Sequence, residues 1–485
     1  MNKFIVLNVL TLSLLMLLLT SCEDAPVIKP QDAVTPRVLV NGVPLNFDVK
    51  EPVLNDQLVM VPAREVFQRL GYTCTYSDRD ESLVCIKGSE TIVFTAGDLQ
   101  AILNQTAIYQ LVRPYFEEGE LLVEARFLEE LASILLEWDE ETASLQIYDY
   151  DELDYGLYFY DQEPNGWGAW DAVGCQKFVA GEENPFFDPS KPTIIWTHGW
   201  QNGGVTAKSR PGFHFNRDGI DKFVQNEWIK QGWNVAIFHW VPFADELLPY
   251  DAESKINSAT NNSVEMRWKK ADGSYVTDNM PTEPIAELFA QAYAKLAQNQ
   301  INPTIRLAGS SFGGQVTLHG VERIKNNGVT PLPSRLALLD MAWTSNYVDN
   351  QGLYTTEITT RAAQALSPLI PIEYYRTSLL TTFFTPDELI EESAFQEMVF
   401  DYAGTWGIEL KHTVITYHYF WSLELDAPPA QDNNQQPAGI ALSAKTDDFT
   451  LRQMMGTQYH WQHIEGTNTI DPSDDVFERQ NGPGY

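Results

Sequence analysis

A single five-residue stretch, Gly309-Ser310-Ser311-Phe312-Gly313, limits the folds open to this chain more than any other feature. It follows a short apolar run of strand character, Thr304 to Ala308, and precedes helix-like text from Gly314 to Lys325. A strand passing directly into a helix through G-x-S-x-G is a nucleophile elbow, a turn so sharp that only small residues fit at its two glycines. Such a turn sets Ser311 at the carboxyl edge of a sheet, its oxygen near a helix N-terminus. The competing reading is a glycine-rich turn with a capping serine. Flanking text extends the sheet. Pro192 to Thr197, Trp233 to Trp240 and Arg335 to Leu339 read as further strands. Ile285, Leu288, Phe289, Ala292 and Leu296 fall at helical spacing, which predicts an amphipathic helix over Pro284 to Gln298. Strands alternating with helices after Tyr150 predict an α/β fold with a mostly parallel sheet over residues 150–485.

A serine hydroxyl is inert at neutral pH without a base, and the base needs a carboxylate to orient it. In this fold the chain order is Ser, acid, His. Asp340 directly ends the strand Arg335 to Leu339 and would open at the same sheet edge as Ser311; Asp387, Asp401 and Asp426 are rivals on later loops. Four of the eight histidines follow Asp340: His412, His418, His460 and His463. His412, read as a loop residue ahead of aromatic text, is the favoured base and His460 the next. His418 is expected to pack within that aromatic segment. His460 and His463, three apart, could share a helix face and imitate a metal pair, but no third ligand is evident, so packing is the expectation and no metal or cofactor is assigned.

In order, Ile194-Ile-Trp-Thr-His-Gly-Trp200, Asn234-Val-Ala-Ile-Phe-His-Trp240, Gly309-Ser-Ser-Phe-Gly313, Leu338-Leu-Asp340 and His412 resemble the blocks of pancreatic-type lipases within the α/β-hydrolase fold. The resemblance implies Ser311 as nucleophile, Asp340 as acid and His412 as base. It also implies an oxyanion hole from the backbone N–H groups of Trp200 and Phe312, donors placed where a tetrahedral oxyanion develops. Three departures stand out. His239 replaces the usual Asp before Trp240, Met341-Ala342 replaces Pro-Ala after the acid, and the disulfide-rich lid is missing. The apolar stretch with Leu366, Leu369, Ile370, Ile372, Tyr374, Tyr375, Leu379, Leu380, Phe383 and Phe384 fits either a cap lining an acyl pocket or ordinary core.

The first third has another origin. Lys3 and the greasy run Phe4 to Leu19 describe a secretory signal over residues 1–21, too short to span a bilayer. Leu19-Thr20-Ser21-Cys22 resembles the bacterial lipobox, which implies lipid on Cys22 and stable anchoring of an extracytoplasmic protein to a bacterial membrane. Residues 22–36, with Pro26, Pro30 and Pro36, read as an extended tether. From 37 to 149 the chain repeats at an offset of 62: Val61, Ala63 and Arg64 return as Val123, Ala125 and Arg126, Tyr76 as Trp138, and Cys85 as Ile147. A fixed period signals one α+β unit used twice. Arg64 to Leu70 and Arg126 to Leu135 have helical spacing, and hairpins are expected around Asp78-Arg79-Asp80 and Asp139-Glu140-Glu141. Cys74 and Cys85, symmetric about the first turn, are candidates for a cross-strand disulfide. Val40-Asn41-Gly42, Leu58-Val-Met-Val-Pro-Ala-Arg64, Leu70-Gly71 and Val123-Glu-Ala-Arg126 resemble the copper amine oxidase N-terminal-like module of bacterial surface proteins. Despite its name copper is not implied, as no His precedes His198. The module is expected to act as a spacer or as an attachment unit for cell-surface material.

Composition excludes more than it assigns. Across 485 residues, 32 Lys plus Arg stand against 66 Asp plus Glu, and a net charge of −34 repels nucleic-acid backbones. The same field disfavours anionic phospholipids and leans towards neutral ester or lipid substrates. Asp471, Asp474 and Asp475 are expected on a solvated surface rather than around calcium. The leading expectation is a membrane-anchored serine ester hydrolase of lipase or esterase type. The alternative is a surface-binding protein with a vestigial hydrolase domain; a third possibility keeps the triad for amides or polyesters.

Overall fold

The computed structural model describes residues 35–482 apart from 56–57, 78, 141, 163–173, 261–263, 345–352, 379–386, 401–406, 457 and 468. The expected signal, Cys22, most of the tether, Asp401 and the segment from Leu379 to Phe384 lie outside the described residues. Among the described residues no helix is long and apolar enough to cross a membrane.

The duplication is visible element by element. Strand Leu58–Pro62, helix Ala63–Arg69 and hairpin strands Thr73–Ser77 and Ser82–Lys87 answer at the 62-residue offset to Glu120–Glu124, Ala125–Glu130, Ile134–Asp139 and Ser144–Asp149. The two equivalent strands pair with one another, Val61 opposite Val123, so the copies share one core. Cys74 stands opposite Cys85 across the first hairpin and the two are disulfide-bonded. One expectation needs correction. The helix expected over Arg126 to Leu135 is a short 3-10 helix, Ala125–Glu130, and Ile134 onward is strand. Pairing of Ile134–Asp139 with Ser144–Asp149 satisfies a whole ladder of backbone groups, which outweighs the local spacing.

Twelve strands form the large sheet: β1 Gly156–Tyr160, β2 Cys175–Lys177, β3 Thr193–Thr197, β4 Asn234–His239, β5 Ile305–Ser310, β6 Arg335–Leu339, β7 Ile372–Arg376, β8 Ala394–Glu397, β9 Pro429–Gln431, β10 Pro437–Ile440, β11 Tyr459–Glu465 and β12 Val476–Asn481. Their spatial order is β2-β1-β4-β3-β5-β6-β7-β8-β11-β12-β9-β10. Every pairing from β4 across to β11 is parallel, while hairpins at both margins make the sheet mixed. Helices α1 Pro249–Asn257, α2 Ile285–Asn299, α3 Phe312–Asn326, α4 Thr355–Leu366, α5 Gly407–Trp421 and α6 Asp448–Met454 cover it. Alternate side chains of a strand point to opposite faces, and both faces here are apolar. Ile195, Ala236, Phe238, Leu336 and Leu338 join one core, whereas Ile194, Val235, Ile237, Ala337 and Leu339 join the other. This is the burial that crossover helices impose on parallel strands. In the ambiguous apolar stretch, Leu366, Ile370, Ile372, Tyr374 and Tyr375 are core.

Candidate active site

Ser311 occupies the turn between β5 and α3 with φ 55° and ψ −131°, left-handed backbone that a non-glycine residue adopts only under constraint from its surroundings. The surroundings are close. A Cβ on Gly309 would lie 2.5 Å from Gly313 O, and one on Gly313 would lie 2.6 Å from His198 O. The strand, turn and helix are therefore wedged against the end of β3, and the spacing of the two glycines follows from contact. Phe312 opens α3. Its N–H and that of Trp200 donate to no protein group among the described residues, leaving two amides beside Ser311 free to bind an oxygen.

Asp340 ends β6, is fully buried and carries φ 44°. Its Oδ1 accepts the N–H groups of Thr377 (2.8 Å) and Ser378 (3.2 Å) at the end of β7, and its Oδ2 accepts the Ser378 hydroxyl at 2.5 Å. His412 Nδ1 also lies 2.5 Å from Oδ2. That contact fixes the proton of the ring on Nδ1 and leaves Nε2 as the nitrogen available to the cleft.

His412 sits in α5, not in the loop that the sequence suggested. The helix escaped notice because Val414, Ile415, Thr416, His418, Tyr419 and Phe420 are all buried, so no polar face marks its 3.6-residue period. Buried bonds from several directions hold it. Tyr419 OH donates to Glu373 Oε1 (2.9 Å) on β7, and Glu373 in turn forms a bidentate pair with Arg335 of β6 at 2.7 and 2.6 Å. Thr377 Oγ1 donates to Lys411 O at 2.8 Å.

A cavity of about 270 Å³ opens above β3 and β5, and both Ser311 and His412 line it, with Trp196, Trp200, Ser209, Arg210, Thr416 and Tyr417 among its other walls. Among the described hydrogen bonds none joins Ser311 Oγ to His412. Both residues line one cavity.

His198 performs a role that sequence reasoning missed. Its ring is wholly buried and stacks on Trp240 at 14°; burial presses its pKa down to about 3, so it is neutral across the physiological range. Nδ1–H donates to Gly199 O (3.0 Å) and Nε2 accepts the Trp240 N–H (3.1 Å). A neutral imidazole can do both at once, and the pair pins the turn that delivers the Trp200 amide. The visible signal was His198 and Trp240 each ending a buried strand.

The rival residues are placed elsewhere. Asp426 is exposed beyond α5. His460 and His463 lie on β11, where residues three apart face opposite ways, so the expected shared helix face does not exist. His460 Nδ1 bonds Gly482 O at 2.9 Å, while His463 Nε2 lies 2.9 Å from Oδ1 of Asp475 and His418 Nε2 lies 2.9 Å from its Oδ2. Asp475 is thus buried, contrary to the solvated surface expected for it; burial opposes its charge but the two imidazoles outweigh that and hold its pKa below the usual range. Among the described residues no group of three or more His, Cys, Asp or Glu is placed to hold a metal.

Residues 39–147 match the copper amine oxidase N-terminal domain family. A comparison with curated proteins finds no match. Among solved structures the chain is similar to a lipase-esterase related protein from Clostridium acetobutylicum (11% identity, 47% of this chain and 92% of that one, TM-score 0.24). It is similar also to a fungal esterase from Rhizomucor miehei (12% identity, 47% and 74%, TM-score 0.26), and to a poly(3-hydroxybutyrate) depolymerase from Bordetella parapertussis (14%, 47% and 79%, TM-score 0.25). Likeness this slight leaves the chemistry to be read from the residues themselves.

Proposed function

We propose that the protein is an extracytoplasmic serine ester hydrolase of the α/β-hydrolase type, anchored through lipid on Cys22. Ser311 Oγ attacks the ester carbonyl while His412 Nε2 takes its proton. Asp340 holds the Nδ1 proton and stabilises the imidazolium that forms. The oxyanion is met by the N–H groups of Trp200 and Phe312, where losing one donor typically costs about 10²–10³ in kcat. His412 returns the proton to the departing alcohol, and water releases the acyl group from Ser311 by the same steps in reverse roles.

The observation that carries this reading is His412 Nδ1 at 2.5 Å from Asp340 on one side of a cleft whose other side is the strained Ser311. A turn that serves only packing gains nothing from holding a serine at positive φ. The net charge of −34 supports neutral esters over anionic phospholipids. Labelling with a fluorophosphonate followed by peptide mapping tests the assignment: the label is expected on Ser311 and absent from Ser311→Ala. A label that persists in Ser311→Ala refutes the nucleophile, and a Cys22→Ala chain still sedimenting with membranes refutes the anchor.

A further inference from the structure

One wall of the cleft comes from the loop that follows Trp200. Residues Gln201 and Ser209 to Gly212 line the cavity. On its inner side the loop is tied to the catalytic domain, as Asp245 accepts the N–H groups of Gly203 (2.8 Å) and Val205 (2.9 Å). On its outer side it is tied to the duplicated module. Lys208 Nζ donates to Ile134 O at 2.8 Å. The Arg210 guanidinium lies 4.0 Å from the centre of the Tyr148 ring, and Val205 packs in one buried cluster with Tyr148 and Tyr150. Asp154, in the connection between module and domain, completes the joint. It is 3% exposed and pairs with Arg210 (2.5 Å) and Lys177 (2.7 Å).

A passive stalk has no need of such a joint. The turn at Asn41-Gly42 of the first copy is pressed onto β1 and β2 so closely that a Cβ on Gly42 would lie 2.5 Å from Tyr158 Cε1 and 2.6 Å from Lys177 N. Gln146 of the module bonds Cys175 O, and Arg37 bonds Gln176 at 3.0 Å. Buried charge pairs add little net stability over apolar packing, and their value is in geometry. Here the geometry concerns the stretch that begins at the Trp200 amide and ends as the cleft wall.

We propose that the N-terminal module is a positioning element of the active site: through Tyr148 and Ile134 it holds Arg210 and Lys208, and with them the loop that forms the cleft wall and roots the Trp200 amide. This rests on the ester-hydrolase reading of the same cleft. Arg210 is a positioning residue rather than a catalytic one.

Tyr148→Leu removes the module's aromatic face from Arg210 and leaves that of Tyr158 in the hydrolase domain, Tyr148→Phe keeps both, and Lys208→Met cuts the peripheral tie. In the full chain, kcat and KM on a soluble p-nitrophenyl ester are measured beside hydrogen–deuterium exchange of residues 201–212. For Tyr148→Leu, kcat is expected to fall by at least about tenfold, since a 1 Å misplacement can cost about a hundredfold. KM is expected to rise by less than kcat falls, because the loop lines the cleft as well as rooting the Trp200 amide. Exchange of the loop speeds up in Tyr148→Leu and Lys208→Met, and Tyr148→Phe restores both readouts. A folded Tyr148→Leu with wild-type kcat overturns the proposal whether or not the loop loosens. Should Tyr148→Leu not fold, unchanged kcat and exchange in Lys208→Met overturn it equally. A wild type that turns over no ester sinks the hydrolase reading and this role together, whereas an active wild type with an active Tyr148→Leu sinks this role alone.

Discussion

Replacing Gly199 by alanine isolates the space above the nucleophile. Gly199 has no left-handed backbone to accommodate, so alanine meets only a steric objection, and the objection is Ser311 itself. The new Cβ would lie 2.5 Å from Ser311 Cβ and 2.8 Å from Ser311 Oγ. Carbon atoms rest about 3.5–4.0 Å apart, so one partner must move by about 1 Å. The partners are the proposed nucleophile and the turn carrying the Trp200 amide, and either movement parts attacking oxygen from oxyanion donor. Misplacement by about 1 Å costs about a hundredfold in rate, or about 2.7 kcal/mol at ~1.36 kcal/mol per tenfold. The expected result for Gly199→Ala is kcat on a soluble ester reduced about a hundredfold with KM little changed. Stability should fall modestly, since overpacking costs about 1–3 kcal/mol and removing glycine from the unfolded ensemble returns only about 0.4–1 kcal/mol of it. Steady-state kinetics and a thermal melt on the same preparation decide it. Wild-type kcat in a folded Gly199→Ala protein would refute the placement of Ser311 as nucleophile against this turn.

Glu253 of α1 is buried against Gln315 of α3 and Thr344 beyond Asp340. Burial raises its pKa from the ordinary 4.5 to about 7. Between those values the unfolded chain has released a proton that the folded chain keeps, so stability falls as pH rises from about 4.5 to 7, by roughly 3 kcal/mol at ~1.36 kcal/mol per pH unit. Urea melts across that range are expected to lose this slope in Glu253→Gln, and an identical slope would discount the group. Asp475 runs the other way: its lowered pKa gives stability that is present above the usual carboxylate value and disappears as pH falls through the folded one. Asp475→Asn should cost about 1–3 kcal/mol at pH 7 and progressively less in acid, as denaturant melts at pH 7 and 3 would reveal. Reducing Cys74–Cys85 is expected to lower the module's stability by about 2–4 kcal/mol, read as an earlier midpoint in a denaturant melt. A midpoint unmoved by the reductant would discount the bridge.

The elbow could be read in advance because contact itself writes it. A turn with a carbonyl 2.5 Å from where a side chain would begin admits only glycine, so the constraint surfaces as two letters four apart. The strand Arg335–Leu339 was legible to the residue, since a parallel strand with both faces buried is a plain apolar run. The doubled module was legible too, because duplication is a property of the text. The histidine that meets Asp340 was less so. Asp340 and His412 stand 72 residues apart and His460 fitted the chain order as well. Strand order separates them: β7 lies beside β6 and brings Thr377 and Ser378 onto Asp340 next to α5, whereas β11 lies beyond β8.

Spacing along the chain thus carried the turn at Ser311, the paired repeats and the run of strands, all of them features whose physical cause acts over a few residues or recurs at a fixed interval. The choice of His412 over His460 as the partner of Asp340, the neutral His198 clamp and the seat of Arg210 on Tyr148 were decided by folding. Each joins groups that share no interval of sequence, and each is set by which strands lie side by side and which helix is packed across them.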